Sequence, residues 1–154
     1  MGTASKSVEI FYLDDMEDEV IITELNLRRQ NLDLNIGFYL DEFDMLSTLG
    51  ERRDKSLSLP NLIVTDLNMP GRGGAHLVKA LRTDAAYQDV TIGICTGSEN
   101  SADHTAALAS GADFVAVKPF DRSSLVTICE KTGRFQLIQR DDGKNYLCAV
   151  NTSP

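Results

Sequence analysis

No stretch of this 154-residue sequence approaches ~18 consecutive apolar residues, so no part of it reads as a helix spanning a bilayer. Residues 1–7 are small and polar and lack the apolar centre of a secretory signal; they read as a flexible lead-in. Cysteine is sparse. Cys95, Cys129 and Cys148 are odd in number, widely spaced and form no CxxC pair, which argues against a zinc knuckle or a redox motif. Free thiols in a reducing cytoplasm account for them, and a cytoplasmic location is expected. Histidine is limited to His76 and His104, which stand apart and read as ordinary helix residues rather than metal ligands or bases. Basic residues are outnumbered, 15 against 23 acidic ones, for a net charge of −8. Such a chain repels nucleic acid and anionic membrane surfaces, so neither is expected as a partner.

What remains is globular: 42% apolar and 25% charged, with 11 glycines and 4 prolines. The length fits one domain that can bury a core without disulfides or a structural metal. Short apolar runs alternate with longer amphipathic stretches. Strands are predicted over residues 8–13, 34–39, 62–65, 90–95 and 114–117, and helices over 17–30, 41–49, 75–82, 100–110 and 123–131. Asp41 is placed to cap the second helix, and Gly111 to stop the fourth. Residues 51–60 are polar and read as a loop; 69–74 form a turn cluster. Five alternating β and α units imply a doubly wound parallel sheet with helices on both faces. The strands are continuous apolar runs, which is what burial on both faces produces.

After Gly133 the pattern changes. Residues 135–138 and 146–150 read as a β-hairpin with Asp142-Gly143 in its turn, and 151–154 as a frayed end. The chain thus divides into the lead-in, a domain over 8–133 and an extension over 134–154, the last too short for an output domain, which needs ~50 residues.

In doubly wound sheets, ligands sit beyond the carboxyl ends of the strands. Asp14 and Asp15 follow the first strand here, Asp66 and then Asn68 the third, Thr96 and then Ser98 the fourth, and Lys118 the fifth. Singly, each has an ordinary explanation as a turn residue, a helix cap or a surface charge. Together, three carboxylates, a hydroxyl and an ammonium meet at one sheet edge. Clustered carboxylates repel one another and need a cation. An all-oxygen set without His or Cys suits Mg2+ rather than zinc. A carboxylate can act as the nucleophile in phosphoryl transfer, giving an acyl phosphate. Asp66 is the candidate acceptor, Lys118 a positive partner for Asp66 or for phosphoryl oxygens, and Thr96 a hydroxyl donor.

In their order, LDD (13–15), IVTDLNMPG (63–71), CTG (95–97) and GADFVAVKPF (111–120) resemble the receiver domain of two-component response regulators, of the kind found alone in the chemotaxis regulator. The resemblance covers about residues 8–131 and implies a flavodoxin-like strand order 2-1-3-4-5. It implies Asp66 as phosphoacceptor, Asp15 as a direct Mg2+ ligand, Asp14 as holder of a coordinated water, and the Asn68 backbone carbonyl as a further ligand. Thr96 and Lys118 would be the switch hydroxyl and the phosphoryl partner. Asn68 and Ser98 would flank the route of attacking water and set phosphoryl lifetime. The donor would be a sensor histidine kinase or a phosphotransfer protein, and output would come from binding a downstream protein.

One position departs from the family pattern. An aromatic residue usually stands three before the Lys, and here that residue is Val115; Phe114, one earlier, should face the other side of the strand. The alternative functions are therefore a receiver-like interaction module that does not switch and, on a similar sheet, a Mg2+-dependent phosphatase with an Asp nucleophile. The second lacks the DxD pattern, since Asn68 stands two after Asp66, and lacks a cap insertion. A flavin site is disfavoured by the acidic loop after the first strand. The hairpin could pair with a sheet edge, cover the last helix or build a homodimer contact.

Overall fold

Five short apolar runs become five strands; the central ones are buried on both faces, and the two at the edges only in part. The computed structural model describes residues 7–69, 71 and 73–150. Residues 1–6 of the 1–7 lead-in, Pro70 and Arg72 of the turn cluster, and the end over 151–154 lie outside the described residues. Strands β1 (Glu9–Leu13), β2 (Asn35–Tyr39), β3 (Leu62–Asp66), β4 (Thr91–Thr96) and β5 (Phe114–Val117) form one parallel sheet in the order β2-β1-β3-β4-β5. Every residue of the central strands β3 and β4 is buried. Helices α1 (Glu17–Arg29), α2 (Glu42–Asp54), α3 (Gly73–Arg82) and α4 (Ser101–Ala109) connect them, and α5 (Arg122–Thr132) follows β5. This is the expected doubly wound, flavodoxin-like order.

Strand alternation divides the core in two. Ile10, Tyr12, Val64, Phe114, Leu125 and Ile128 pack on one face; Phe11, Leu13, Met45, Ile63, Leu77 and Ile94 pack on the other. Gly93 on β4 lies under the Phe114 ring, where a Cβ would meet ring carbons at 2.1 Å. Gly74 lets the first turn of α3 approach the end of β3: a Cβ there would lie 2.1 Å from the Asp66 carbonyl oxygen. Asp41 caps α2 by accepting from Phe43 N at 2.6 Å. Asp121 and Ser124 form a capping box at the start of α5, and Gly133 ends that helix in the left-handed region at φ 65°.

Two expectations need correction. The polar stretch predicted as a loop over 51–60 is helical as far as Asp54. Arg52 reaches across to Glu9 at 2.5 and 3.0 Å and lies over the Phe11 ring, and Arg53 reaches Asp84 at 2.7 Å. These long-range partners hold a segment whose own sequence carries no apolar periodicity. The third helix begins two residues earlier than predicted, at Gly73.

The hairpin, β6 (Phe135–Gln139) and β7 (Asn145–Ala149), forms its own antiparallel sheet. Its turn closes through Gly143 N donating to Arg140 O at 3.0 Å, with Gly143 at φ 84°. It packs against α5, and single bridges also join it to Ser7 before β1 and Leu32 before β2. Phe135, Leu147 and Cys148 are buried, and the first two join the Tyr12–Phe114 half of the core. Backbone bonds tie β7 to its surroundings: Val8 N to Leu147 O at 3.1 Å, Asn145 N to Asn31 O at 2.7 Å and Asp33 N to Asn145 O at 2.8 Å. Arg140 adds an ion pair with Asp33.

Candidate functional site

Parallel register brings the predicted residues to one edge. Asp66 closes β3 opposite Cys95; Thr96 closes β4 opposite Val117; Lys118 follows directly. Asp14 and Asp15 leave β1 at the same edge, and Asp14 N donates to Tyr39 O on the neighbouring strand at 3.0 Å. The backbone at Lys118 is fixed by its N donating to Thr96 O at 2.7 Å, and the Lys118–Pro119 peptide bond is cis.

One oxygen from each of Asp14, Asp15 and Asp66 lies within 4.8 Å of the others. Asp14 is 1% and Asp66 5% exposed, so little water is left to screen them. The Lys118 ammonium supplies part of the missing charge, 3.0 Å from Asp14 Oδ2 and 3.3 Å from Asp66 Oδ1. Asp14 Oδ1 accepts from Met16 N at 3.0 Å, and Asp66 Oδ1 from Asn68 N at 3.4 Å. Asp15 Oδ1 stands apart: it is buried with no hydrogen-bond partner, alone among the described side-chain polar atoms. An orphaned buried carboxylate oxygen beside two others is what a hard divalent cation would satisfy. The residues therefore fit such an ion. Burial pushes the Asp66 carboxyl above its ordinary pKa; the Lys118 charge opposes this and the Asp14 charge adds to it. Burial would depress the Lys118 ammonium, but bonds to Glu19 and Asp14 and the charge of Asp66 outweigh it and hold the pKa above the ordinary lysine value.

Thr96 is fully buried, and its hydroxyl oxygen accepts from Ser98 N at 3.1 Å. Ser98 itself is turned to α4: its hydroxyl donates to Asp103 at 2.6 Å and accepts from Asn100 N at 3.1 Å, while its carbonyl meets His104 Nε2 at 2.7 Å. Val115 packs with the Leu13–Ile94 half of the core and Phe114 with the opposite half, so the described face of β5 beside Thr96 presents no aromatic ring.

Two features were not anticipated. Glu19, in the first turn of α1, holds Lys118 at 2.5 Å. Its sequence signal is that of any acidic residue at a helix N-terminus, shared with Glu17 and Asp18. Beneath the carboxylates, Tyr12 is buried against Phe38 and Phe120, near Cys95, whose thiol burial pushes up to about 12. No helix among the described residues is long and apolar enough to cross a membrane.

Comparison with known proteins agrees with this geometry. The family model described as response regulator receiver domain matches residues 10–130. The transcriptional regulatory protein PrrA of Mycobacterium leprae is 32% identical over 126 residues, spanning 82% of this chain and 50% of that protein. The response regulator PleD of Caulobacter vibrioides is 26% identical over 132 residues, spanning 86% of this chain and 27% of that protein. The chain thus spans half or less of these curated relatives. Among solved structures, the chemotaxis response regulator CheY4 of Vibrio cholerae superposes with a TM-score of 0.63 at 21% identity, covering 82% of this chain and 98% of that one. The bacteriophytochrome response regulator AtBRR superposes with a TM-score of 0.73 at 16% identity, covering 88% and 99%. Both likenesses speak to the fold.

Proposed function

The chain belongs to the response regulator receiver family of two-component signalling, and from that premise we propose that it accepts a phosphoryl group on Asp66 in a Mg2+-dependent reaction. The observation that carries this reading is the grouping of Asp14, Asp15 and Asp66 around an oxygen without a partner, with the Lys118 ammonium against two of the three. Asp14, Asp15, Asp66 and the Asn68 backbone carbonyl would hold the ion, which when bound supplies charge to offset the phosphoryl oxygens.

The chain's own residues do the rest. An Asp66 carboxylate oxygen attacks the phosphorus of a phosphohistidine on a sensor kinase or phosphotransfer protein. The phosphorus–nitrogen bond breaks, its electron pair stays on the imidazole, and an acyl phosphate remains on Asp66. Lys118 and the Thr96 hydroxyl would meet the transferred oxygens, as a reaction governed by positioning and charge requires. Asn68 and Ser98 flank the approach of water that later hydrolyses the bond. Ser98 spends its hydroxyl on the α4 cap, so its influence on lifetime runs through the placement of that cap. The chain is a switch rather than a turnover enzyme, and output is phosphorylation-dependent binding of a downstream protein.

Acetyl phosphate with Mg2+ tests this. Wild type should acquire phosphate, and both a chelator and Asp66→Asn should abolish the uptake. Equal uptake by Asp66→Asn would overturn the assignment. A second reading has one observation in its favour: with Val115 where an aromatic switch residue usually stands, the domain binds partners without changing state. Equal affinity for a partner with and without beryllofluoride would favour it, since a ligand with no preference between states shifts nothing.

A further inference from the structure

We propose that Glu19 is a positioning residue that holds Lys118 in the unphosphorylated state and opposes its transfer to the phosphoryl group; this rests on the Asp66 acceptor reading above. Three carboxylates share the Lys118 ammonium: Glu19 at 2.5 Å, Asp14 at 3.0 Å and Asp66 at 3.3 Å. Glu19 makes the shortest contact of the three. It also stands outside the group of Asp14, Asp15 and Asp66. A cation among those three weakens the hold of Asp14 and Asp66 on Lys118, because they then share their charge with it. It leaves Glu19 as the remaining full carboxylate partner.

The consequence follows from charge and space. A phosphoryl group on Asp66 recruits Lys118 only in competition with Glu19, and Glu19 also repels the incoming negative charge. A cavity of about 280 Å³ lies beside the pair, bounded by Tyr12, Ile22, Thr23 and Phe120, so the Lys118 side chain has room to move between partners. The ordinary role of an acidic residue in a first helical turn is to face the helix dipole. Glu17 and Asp18 do that without an ion pair to the site, whereas Glu19 reaches across to Lys118, the residue that follows β5.

The test is a beryllofluoride titration with Mg2+ by calorimetry on wild type, Glu19→Gln, Lys118→Ala and the double variant. Glu19→Gln should bind the phosphoryl analogue about threefold more tightly, the scale of one partly exposed ion pair. Glu19→Asp, one methylene short of Lys118, should behave like Glu19→Gln. In the Lys118→Ala background the gain should shrink, a coupling that a residue acting only on α1 would not show. Unchanged or weaker binding by Glu19→Gln, or the same gain with and without Lys118, would overturn the proposal while leaving Asp66 as acceptor. Failure of wild type to bind the analogue, or equal binding by Asp66→Asn, would instead remove the acceptor reading and this inference with it.

Discussion

Replacing Lys118 with alanine should destabilise the metal-free protein more than most single changes, and Mg2+ should largely repair the damage. The ammonium lies within 3.3 Å of two carboxylates whose side chains are 1% and 7% exposed, and Lys118 itself is 19% exposed. Removing one partner of a buried pair costs about 3–5 kcal/mol, because the remaining charge is left without compensation. Partial exposure of Lys118 puts this site at the low end, about 3 kcal/mol. The contact with Glu19, 45% exposed, adds little. At roughly 2–4 °C per kcal/mol for a chain of this size, the melting temperature in chelator should fall by about 6–12 °C. A cation among Asp14, Asp15 and Asp66 supplies the charge that the variant lacks. Mg2+ should therefore raise the melting temperature of Lys118→Ala more than that of wild type, through its preference for the folded state. The assay is thermal unfolding by circular dichroism in chelator and across a Mg2+ series. No loss of stability in chelator, or equal stabilisation of both proteins by Mg2+, would refute the reasoning.

Asp15→Asn should leave the metal-free protein as stable as wild type or about 1 kcal/mol more stable, because it removes a charge from a buried, unpartnered oxygen; the Mg2+ stabilisation seen in the same melts should disappear. Leu147→Ala should cost about 2–4 kcal/mol in denaturant unfolding, since this hairpin side chain is 1% exposed and belongs to the main core; a cost under about 0.5 kcal/mol, the range of a surface change, would mean that the hairpin is only an appendage. Burial pushes the Cys95 thiol up to about 12, so at pH 8 it is almost wholly protonated as well as inaccessible. Iodoacetamide should label Cys129 in the native protein and reach Cys95 only after denaturation, as peptide mass spectrometry would show.

The sheet was legible because burial on both faces leaves a plain mark, as in LIVT at residues 62–65, and short apolar runs recur at regular spacing even where, as in FVAV at 114–117, the strand lies at the edge and is only partly buried. The site was legible for a related reason. A parallel sheet delivers every residue after a strand to the same edge, so Asp14, Asp66, Thr96 and Lys118 could be grouped before any distance was known. What escaped depends on contacts between distant segments. The last turn of α2 is held by Glu9 and Asp84, which lie 43 and 31 residues from their arginine partners. Glu19 looks like its neighbours Glu17 and Asp18 until the fold brings Lys118, after β5, to the first turn of α1. The hairpin was readable from Asp142-Gly143 and its flanking apolar runs, but its seat against α5 was not, because several placements bury the same side chains.

The central claim is that the carboxylate of Asp66 receives the phosphoryl group. Borohydride reduces an aspartyl phosphate to homoserine, so treating the phosphorylated protein with it marks the acceptor permanently. Peptide mass spectrometry should then find homoserine at position 66, only after incubation with acetyl phosphate and Mg2+. Homoserine at position 14 or 15 instead, or none at any aspartate of a protein that had taken up phosphate, would contradict the account.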